Sequence, residues 1–184
     1  MLALRNHSLS PRLLLTLICC LIVLEGCGFR LRGSIGGDLA LPPLYIESSG
    51  GNLFASELRQ ALGNTQTTVV TERVAAELIM GVGAERLDRR VLTVDAAGRV
   101  QEYELHYAVS FAVNDAAARP VLGNQTITLR RSFEFTGEDV LAKEAEENQL
   151  YRGMRRSAVQ SAMRRLQALA AQPTETDGVV VSED

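Results

Sequence analysis

The sequence predicts an α+β domain, a four-stranded and mostly antiparallel sheet with two helices packed on one face. Two patterns carry this prediction. The middle of the chain alternates apolar and polar residues with period 2, and a later segment repeats apolar residues at three- and four-residue steps. Turn-forming segments separate the strands. With 184 residues, 46% of them hydrophobic, the chain can bury one sizeable core.

Residues 1–26 have the pattern of a signal peptide. Arg5 and Arg12 give a positive start, and residues 13–24 contain no charge. These twelve residues are too few for a membrane-spanning helix, which needs about 20. We therefore expect residues 1–26 to direct export and to be removed.

Cys27 would then be the one cysteine left, because Cys19 and Cys20 lie in the predicted signal peptide. A single cysteine can form neither an intramolecular disulfide nor a cysteine-based metal cluster. A free thiol is a poor alternative, since an exposed thiol is reactive in an oxidising compartment. Lipid attachment is the interpretation that the sequence favours.

The residues around Cys27 support lipidation. Bacterial lipoproteins carry a leucine three positions before the modified cysteine and a small residue just before it, and Leu24 and Gly26 fit this lipobox, although Glu25 is unusual between them. Two or three acyl chains would anchor the protein firmly, since each buried CH₂ contributes about 0.8 kcal/mol. Gly28 is not the aspartate that retains enteric lipoproteins in the inner membrane, so we expect an anchor on the periplasmic side of the outer membrane.

The next part of the chain supplies a tether, a strand and a helix. Residues 27–40 are glycine-rich and are predicted to link the lipid to the fold, and residues 41–47 read as a short strand. A helix is predicted over residues 53–62, with Asn52 as its N-cap and Gly63 as its C′ glycine.

The central part of the chain predicts strands joined by short turns. Residues 103–113 are apolar at every second position, which is typical of a half-buried strand. Because the connections are short, we expect these strands to form an antiparallel meander. The other β-like runs are residues 67–71, 78–94 and 126–135, with turns at 95–98 and 114–120.

The C-terminal third changes to helical periodicity. An apolar stripe predicts a helix over about residues 142–171, which Gln172 and Pro173 end. Residues 172–184 contain four acids and no base, so we expect an acidic, disordered tail. Residues 27–171 are thus predicted to form a single domain.

Charge and composition exclude several function classes. Residues 27–171 hold 17 basic and 17 acidic side chains, whereas nucleic-acid-binding domains present a strongly basic face. His106 is the one histidine after residue 26, so neither a Cys/His pair nor a histidine metal site can be built. Glu144, Glu146 and Glu147 are interpreted as the solvated first turn of a helix. We therefore predict neither an enzyme nor a metal or other cofactor, and a hydrolase that uses carboxylates alone is the weakest alternative.

Arginines near the predicted turn at residues 95–98 are candidates for binding. A phosphate-binding patch fits their chemistry, because guanidinium groups match phosphate oxygens bidentately, but a charged and solvated hairpin edge is an equal alternative. Arg131 interrupts the apolar face of its strand and is expected to extend to solvent or to pair with a buried acid. The arginines of the patch are Arg86, Arg89, Arg90 and Arg99.

Several short segments, in order, resemble the LptE family of lipopolysaccharide-assembly lipoproteins. The opening Cys27-Gly28-Phe29-Arg30-Leu31-Arg32-Gly33 is similar to the family's mature N-terminus. The other similar segments are Glu102-Tyr103 after a glycine turn, Arg131-Ser132-Phe133, and Leu141-Ala142-Lys143 before an acidic stretch.

The resemblance implies two helices on a four-stranded sheet, and a lipoprotein that binds lipopolysaccharide and sits inside the LptD outer-membrane β-barrel. It also implies binding roles for Lys143 and for a basic residue at the hairpin tip. The tip position falls on Ala96, so Arg99 is the nearest substitute, with Arg90 across the hairpin. The alternative is a structural scaffold lipoprotein of another outer-membrane complex, without a ligand of its own.

Overall fold

The computed structural model describes residues 39–135 and 140–172. Cys27, the predicted signal peptide and nearly all of the predicted tether and acidic tail lie outside these residues. The elements in chain order are β1 (Leu44–Ser48), α1 (Leu53–Leu62), β2 (Val69–Val70), a 3₁₀ turn (Arg73–Ala75), β3 (Leu78–Val82), β4 (Arg86–Val94), β5 (Val100–Asp115), β6 (Pro120–Glu134) and α2 (Val140–Ala170).

Within the described residues the sheet has six strands and is mixed, so the prediction of four mostly antiparallel strands is wrong in number and in part in direction. The long strand β5 lies at its centre. On one side, β5 pairs with β4 along its first half and with β3 along its last residues, both antiparallel. On its other side, β5 pairs with β6, which is also antiparallel. β1 is parallel to both β2 and β3. The meander was therefore predicted correctly for β4, β5 and β6 alone.

Two local features explain the extra strands. The chain leaves β1 through helix α1 before it returns, and such a crossover connection lets strands pair in parallel. The predicted run over residues 78–94 is split between Val82 and Arg86. At Gly83 the backbone passes so close to β5 that an added Cβ would lie 2.6 Å from the Ser110 hydroxyl, and Glu85 then turns away from solvent.

Helix α1 has the predicted bounds. The Asn52 side chain caps it by accepting a hydrogen bond from the Ala55 N–H at 2.9 Å, as the sequence predicts. Gly63 ends the helix, but its φ of −61° is right-handed, so its glycine-specific freedom is not used. Within the described chain, no helix is long and apolar enough to cross a membrane.

Both helices pack against one face of the sheet and against each other. The alternation that predicts β5 is observed, because every second side chain from Leu105 to Val113 is buried under the helices. The opposite face of β5 carries Glu104, His106 and Ser110, and no helix covers it within the described residues. At β5 the sheet therefore has one buried apolar face and one accessible polar face, whereas every residue of β4 is exposed.

Candidate functional site

The turn between β4 and β5 is organised by Asp95. Its Oδ1 accepts hydrogen bonds from the backbone N–H groups of Ala97 and Arg99, each at 2.9 Å, and its Oδ2 accepts from Arg99 Nε at 2.8 Å. The pKa of Asp95 is lowered, chiefly by the Arg99 N–H, with further contributions from the Arg99 guanidinium and the Ala97 N–H. Gly98 has a φ of +79°, which the turn requires. Arg99 is thus held by its own turn, and Ala96 lies exposed at the tip.

The turn between β5 and β6 repeats this arrangement at the other end of β5. Asp115 Oδ1 accepts from the Arg119 N–H at 2.8 Å, and Asp115 Oδ2 accepts from Arg119 Nε at 2.6 Å. Ala118 takes the position of Gly98, with a φ of +62°. The two arginine side chains are equally exposed, 79% for Arg99 and 80% for Arg119. The Asp–Arg pair is therefore a turn motif that occurs twice, and Arg119 is a matched reference for Arg99.

Arg90 lies on the accessible polar face. It is paired with Glu104 of β5 in the sheet register, and its Nε donates to Asp88 Oδ2 at 2.8 Å. This hydrogen bond is the main reason why the pKa of Asp88 is lowered.

Lys143 lies near the start of α2 and donates to Glu146 Oε2 at 3.0 Å. Because α2 begins at Val140, Glu144, Glu146 and Glu147 lie beyond its first turn, and the interpretation that they form that turn is wrong. The Glu147 side chain is also largely buried, because it is 18% exposed and forms an ion pair with an arginine of β4.

Arg89 makes that ion pair, and sequence reasoning missed the contact. Its Nη1 donates to Glu147 Oε2 at 2.7 Å, and its guanidinium carbon lies 4.7 Å from the centre of the Tyr103 ring. The hydrogen bond to Glu147 is the largest cause that raises the pKa of Arg89. Tyr151 adds a hydrogen bond from its hydroxyl to the Asp88 carbonyl at 3.1 Å. Helix α2 is thereby fixed to β4, but the 58-residue separation of Arg89 and Glu147 leaves no local signal in the sequence.

The three predicted binding residues do not form one cluster. Arg90 lies on the accessible face of the sheet, whereas Lys143 belongs to the helix that covers the opposite face, and Arg99 lies in the turn. Each donates to its own carboxylate, namely Asp88, Asp95 or Glu146. An anion that binds any of them must compete with, or bind beside, an existing partner.

The other residues singled out by the sequence are also placed. His106 pairs with Glu104 on the accessible face. Arg131 is exposed beside Met154 and Ser157 of α2, and it forms no ion pair within the described part of the chain. Of the two expectations for Arg131, extension to solvent is the one observed.

A buried ion pair joins the two helices to the start of β4. Arg155 of α2 donates to Glu85 Oε1 at 2.5 Å and lies 3.6 Å from Glu57 Oε1 of α1. Although burial alone would lower the pKa of Arg155, the hydrogen bond with Glu85 and the nearby charges raise it. Burial, and after it the neighbouring Glu85 carboxylate, raise the pKa of Tyr107, whose buried hydroxyl lies near Glu85 but within the region described makes no hydrogen bond of 3.5 Å or less. This cluster joins both helices to the end of β4 that lies opposite the β4–β5 turn.

The mixed sheet with two helices on one face is a small α+β fold of a kind found in bacterial lipoproteins. The solution structure of lipoprotein B from Nitrosomonas europaea is 33% identical, with a TM-score of 0.64 over 77% of this chain and 91% of that one. The crystal structure of rare lipoprotein B from Shewanella oneidensis is 28% identical, with a TM-score of 0.55 over 70% and 93%.

Sequence comparison identifies the family. The LptE family model, described as lipopolysaccharide-assembly, matches residues 41–166. The LPS-assembly lipoprotein LptE of Yersinia enterocolitica is 29% identical over 160 residues, which are 84% of this chain and 74% of that protein. The chain belongs to the LptE family, as the resemblance predicted.

Proposed function

We propose that this protein is an outer-membrane lipoprotein of lipopolysaccharide transport, which binds lipopolysaccharide and supports the assembly of the LptD β-barrel by filling its lumen. The observation that carries the proposal is the family match over residues 41–166, which runs from the start of the sheet well into α2. The name of the Yersinia enterocolitica relative places that protein in lipopolysaccharide assembly. The proposed role requires no catalytic group.

Acylation of Cys27 would supply the membrane anchor on the periplasmic side of the outer membrane. The accessible face of the sheet suits the proposed position in a barrel. The lumen of outer-membrane barrels is polar, and this face carries Glu104, His106 and Ser110 of β5.

Lipopolysaccharide would be bound at the hairpin end, by which we mean the β4–β5 turn with Arg90, Arg99 and Lys143. These three cations do not form one cluster, so each would pair with a phosphate of its own, in competition with divalent cations. A hydrogen bond to a charged group is worth about 1.5–3 kcal/mol, so two or three such contacts would dominate affinity. Part of that energy is offset, because each of the three cations already forms an ion pair, with Asp88, Asp95 or Glu146.

The repeated turn motif gives a matched test of this site. Arg99→Ala and Arg119→Ala remove the same side chain from the same turn geometry at opposite ends of β5. In equilibrium binding to purified lipopolysaccharide, we expect Arg99→Ala to weaken affinity about tenfold, in line with the loss of one charge-assisted contact, and Arg119→Ala to have little effect. Lys143→Ala and Arg90→Ala should each weaken affinity as Arg99→Ala does. Equal affinities for all five proteins, with the fold intact, would rule out this assignment.

A structural scaffold without a ligand of its own is the second candidate. It is favoured by one observation, namely that Arg99 makes the same turn-stabilising contacts as Arg119 and needs no ligand to explain it. A stoichiometric complex with a barrel, formed by a protein that does not bind lipopolysaccharide, would support the scaffold.

A further inference from the structure

A groove of about 490 Å³ lies between α1 and α2, on the side of the helices that faces away from the sheet. Ala61 and Val159 give it an apolar floor. Polar side chains surround this floor, and they are the amides Gln60, Asn64 and Gln160 together with Arg152, Arg156 and Glu57.

The two arginines of the groove are unlike those at the hairpin end. Arg152 and Arg156 are exposed, lie one helical turn apart on α2, and form neither an ion pair nor a side-chain hydrogen bond within residues 39–135 and 140–172. Glu57, the acidic residue of the groove, forms an ion pair at 3.6 Å with the buried Arg155. An anion that enters the groove therefore does not have to displace a carboxylate from either arginine.

Arg86, Arg130 and Arg131 of the sheet also form no ion pair within the described residues. Arg152 and Arg156 differ from them because they lie one turn apart on a single helix and line one concavity between two helices.

We propose that this groove binds a phosphorylated saccharide, with the phosphate held between Arg152 and Arg156. Guanidinium groups match phosphate oxygens in a bidentate manner. The amides can donate to and accept from sugar hydroxyls, and the apolar floor can contact the carbon face of a sugar ring. The inference rests on the proposed function in that lipopolysaccharide is the source of the saccharide, and it adds a second binding site on the helix layer, away from the hairpin.

The test uses the full chain in detergent and a de-acylated, phosphorylated lipopolysaccharide oligosaccharide as the probe. The Arg152→Gln/Arg156→Gln variant keeps residues that favour helix, so it should fold normally. We expect it to bind the probe at least tenfold more weakly than the parent chain. Arg164→Gln is the matched control, because Arg164 is exposed on the same helix, has no ion pair among the residues that the structure describes and does not line the groove. It should change affinity less than twofold. The same oligosaccharide after dephosphorylation should bind the parent chain weakly.

An unchanged affinity of the double variant, or an equal loss for Arg164→Gln, would overturn the proposal. Inorganic phosphate that binds as tightly as the oligosaccharide would also overturn it, because the saccharide would then add nothing. Binding of intact lipopolysaccharide distinguishes a failure of the groove site from a failure of the proposed function. If intact lipopolysaccharide binds the parent chain and the double variant equally, the groove site is wrong and the proposed function stands. If it does not bind the parent chain at all, its proposed binding by this protein fails as well.

Discussion

Arg155 of α2 donates to Glu85 at 2.5 Å, and through this contact the start of β4 is held against both helices. The Glu85 carboxylate also accepts the N–H of Phe54 at 3.3 Å, so a single acid connects α1, α2 and the segment between β3 and β4. Two residues earlier in the chain, the carbonyl of Gly83 accepts a hydrogen bond from the Asn52 side-chain amide at 2.9 Å.

The first prediction concerns this pair. Arg155→Met should lower the free energy of unfolding by about 3–5 kcal/mol, because it leaves the Glu85 charge buried without its partner. Arg155→Met combined with Glu85→Gln should recover part of the loss. The exposed neighbour Arg156 provides the control, and Arg156→Met should change stability by less than about 0.5 kcal/mol. Urea denaturation measures all three, and equal small effects for Arg155→Met and Arg156→Met would contradict the prediction.

The second prediction concerns the buried hydroxyl of Tyr107. A buried polar group without a partner costs about 1–3 kcal/mol, so Tyr107→Phe should leave stability unchanged or raise it. Thermal and urea denaturation of Tyr107→Phe and of the parent chain measure the difference in stability. A clear loss of stability would mean that the hydroxyl is hydrogen-bonded.

The third prediction uses the two equivalent turn positions. Gly98→Ala should destabilise the protein by about 1 kcal/mol, because a Cβ is strained at a positive φ. Ala118→Gly should act in the opposite direction by a smaller amount, since the released strain is partly offset by the greater freedom of glycine in the unfolded chain. Urea denaturation measures both variants, and each serves as the control for the other. Changes of the same sign in the free energy of unfolding would show that the two turns are not equivalent.

The fourth prediction concerns pH. The folded-state pKa of Asp95 lies below its ordinary value of 3.8, so the stability that this group contributes is present above about pH 4 and is lost as the pH falls through the folded pKa. An NMR titration should find the carboxyl group ionising below 3.8. The shift should become smaller but not vanish in Arg99→Ala, because the backbone N–H bonds remain. Titration at or above 3.8 in the parent chain would contradict the geometry.

Local patterns predicted the elements whose signals lie within a few residues. The bounds of α1 and its Asn52 cap follow from helical periodicity and from capping chemistry, and the alternation in β5 marks its buried face. The position of Arg99 beside the turn was also visible, because the Asp95–Gly98 segment has the composition of a turn.

Contacts between distant segments could not be predicted in this way. β1 pairs in parallel with β3 because the chain crosses over through α1. The break before β4 places Glu85 next to Arg155, which lies 70 residues later in the sequence. The carboxylate partner of Arg89 lies on another element. Sequence reasoning therefore located the cations at the hairpin end but not their ion pairs. It also missed the two arginines between the helices, which form no ion pair in the part of the chain that the structure describes.

Native mass spectrometry of the protein extracted from membranes with its bound partners tests the central claim most directly. We predict a stoichiometric complex with an LptD-type β-barrel, in which the chain begins at an acylated Cys27 and retains lipopolysaccharide. A chain recovered without acyl groups, without a barrel and without lipopolysaccharide would contradict the account.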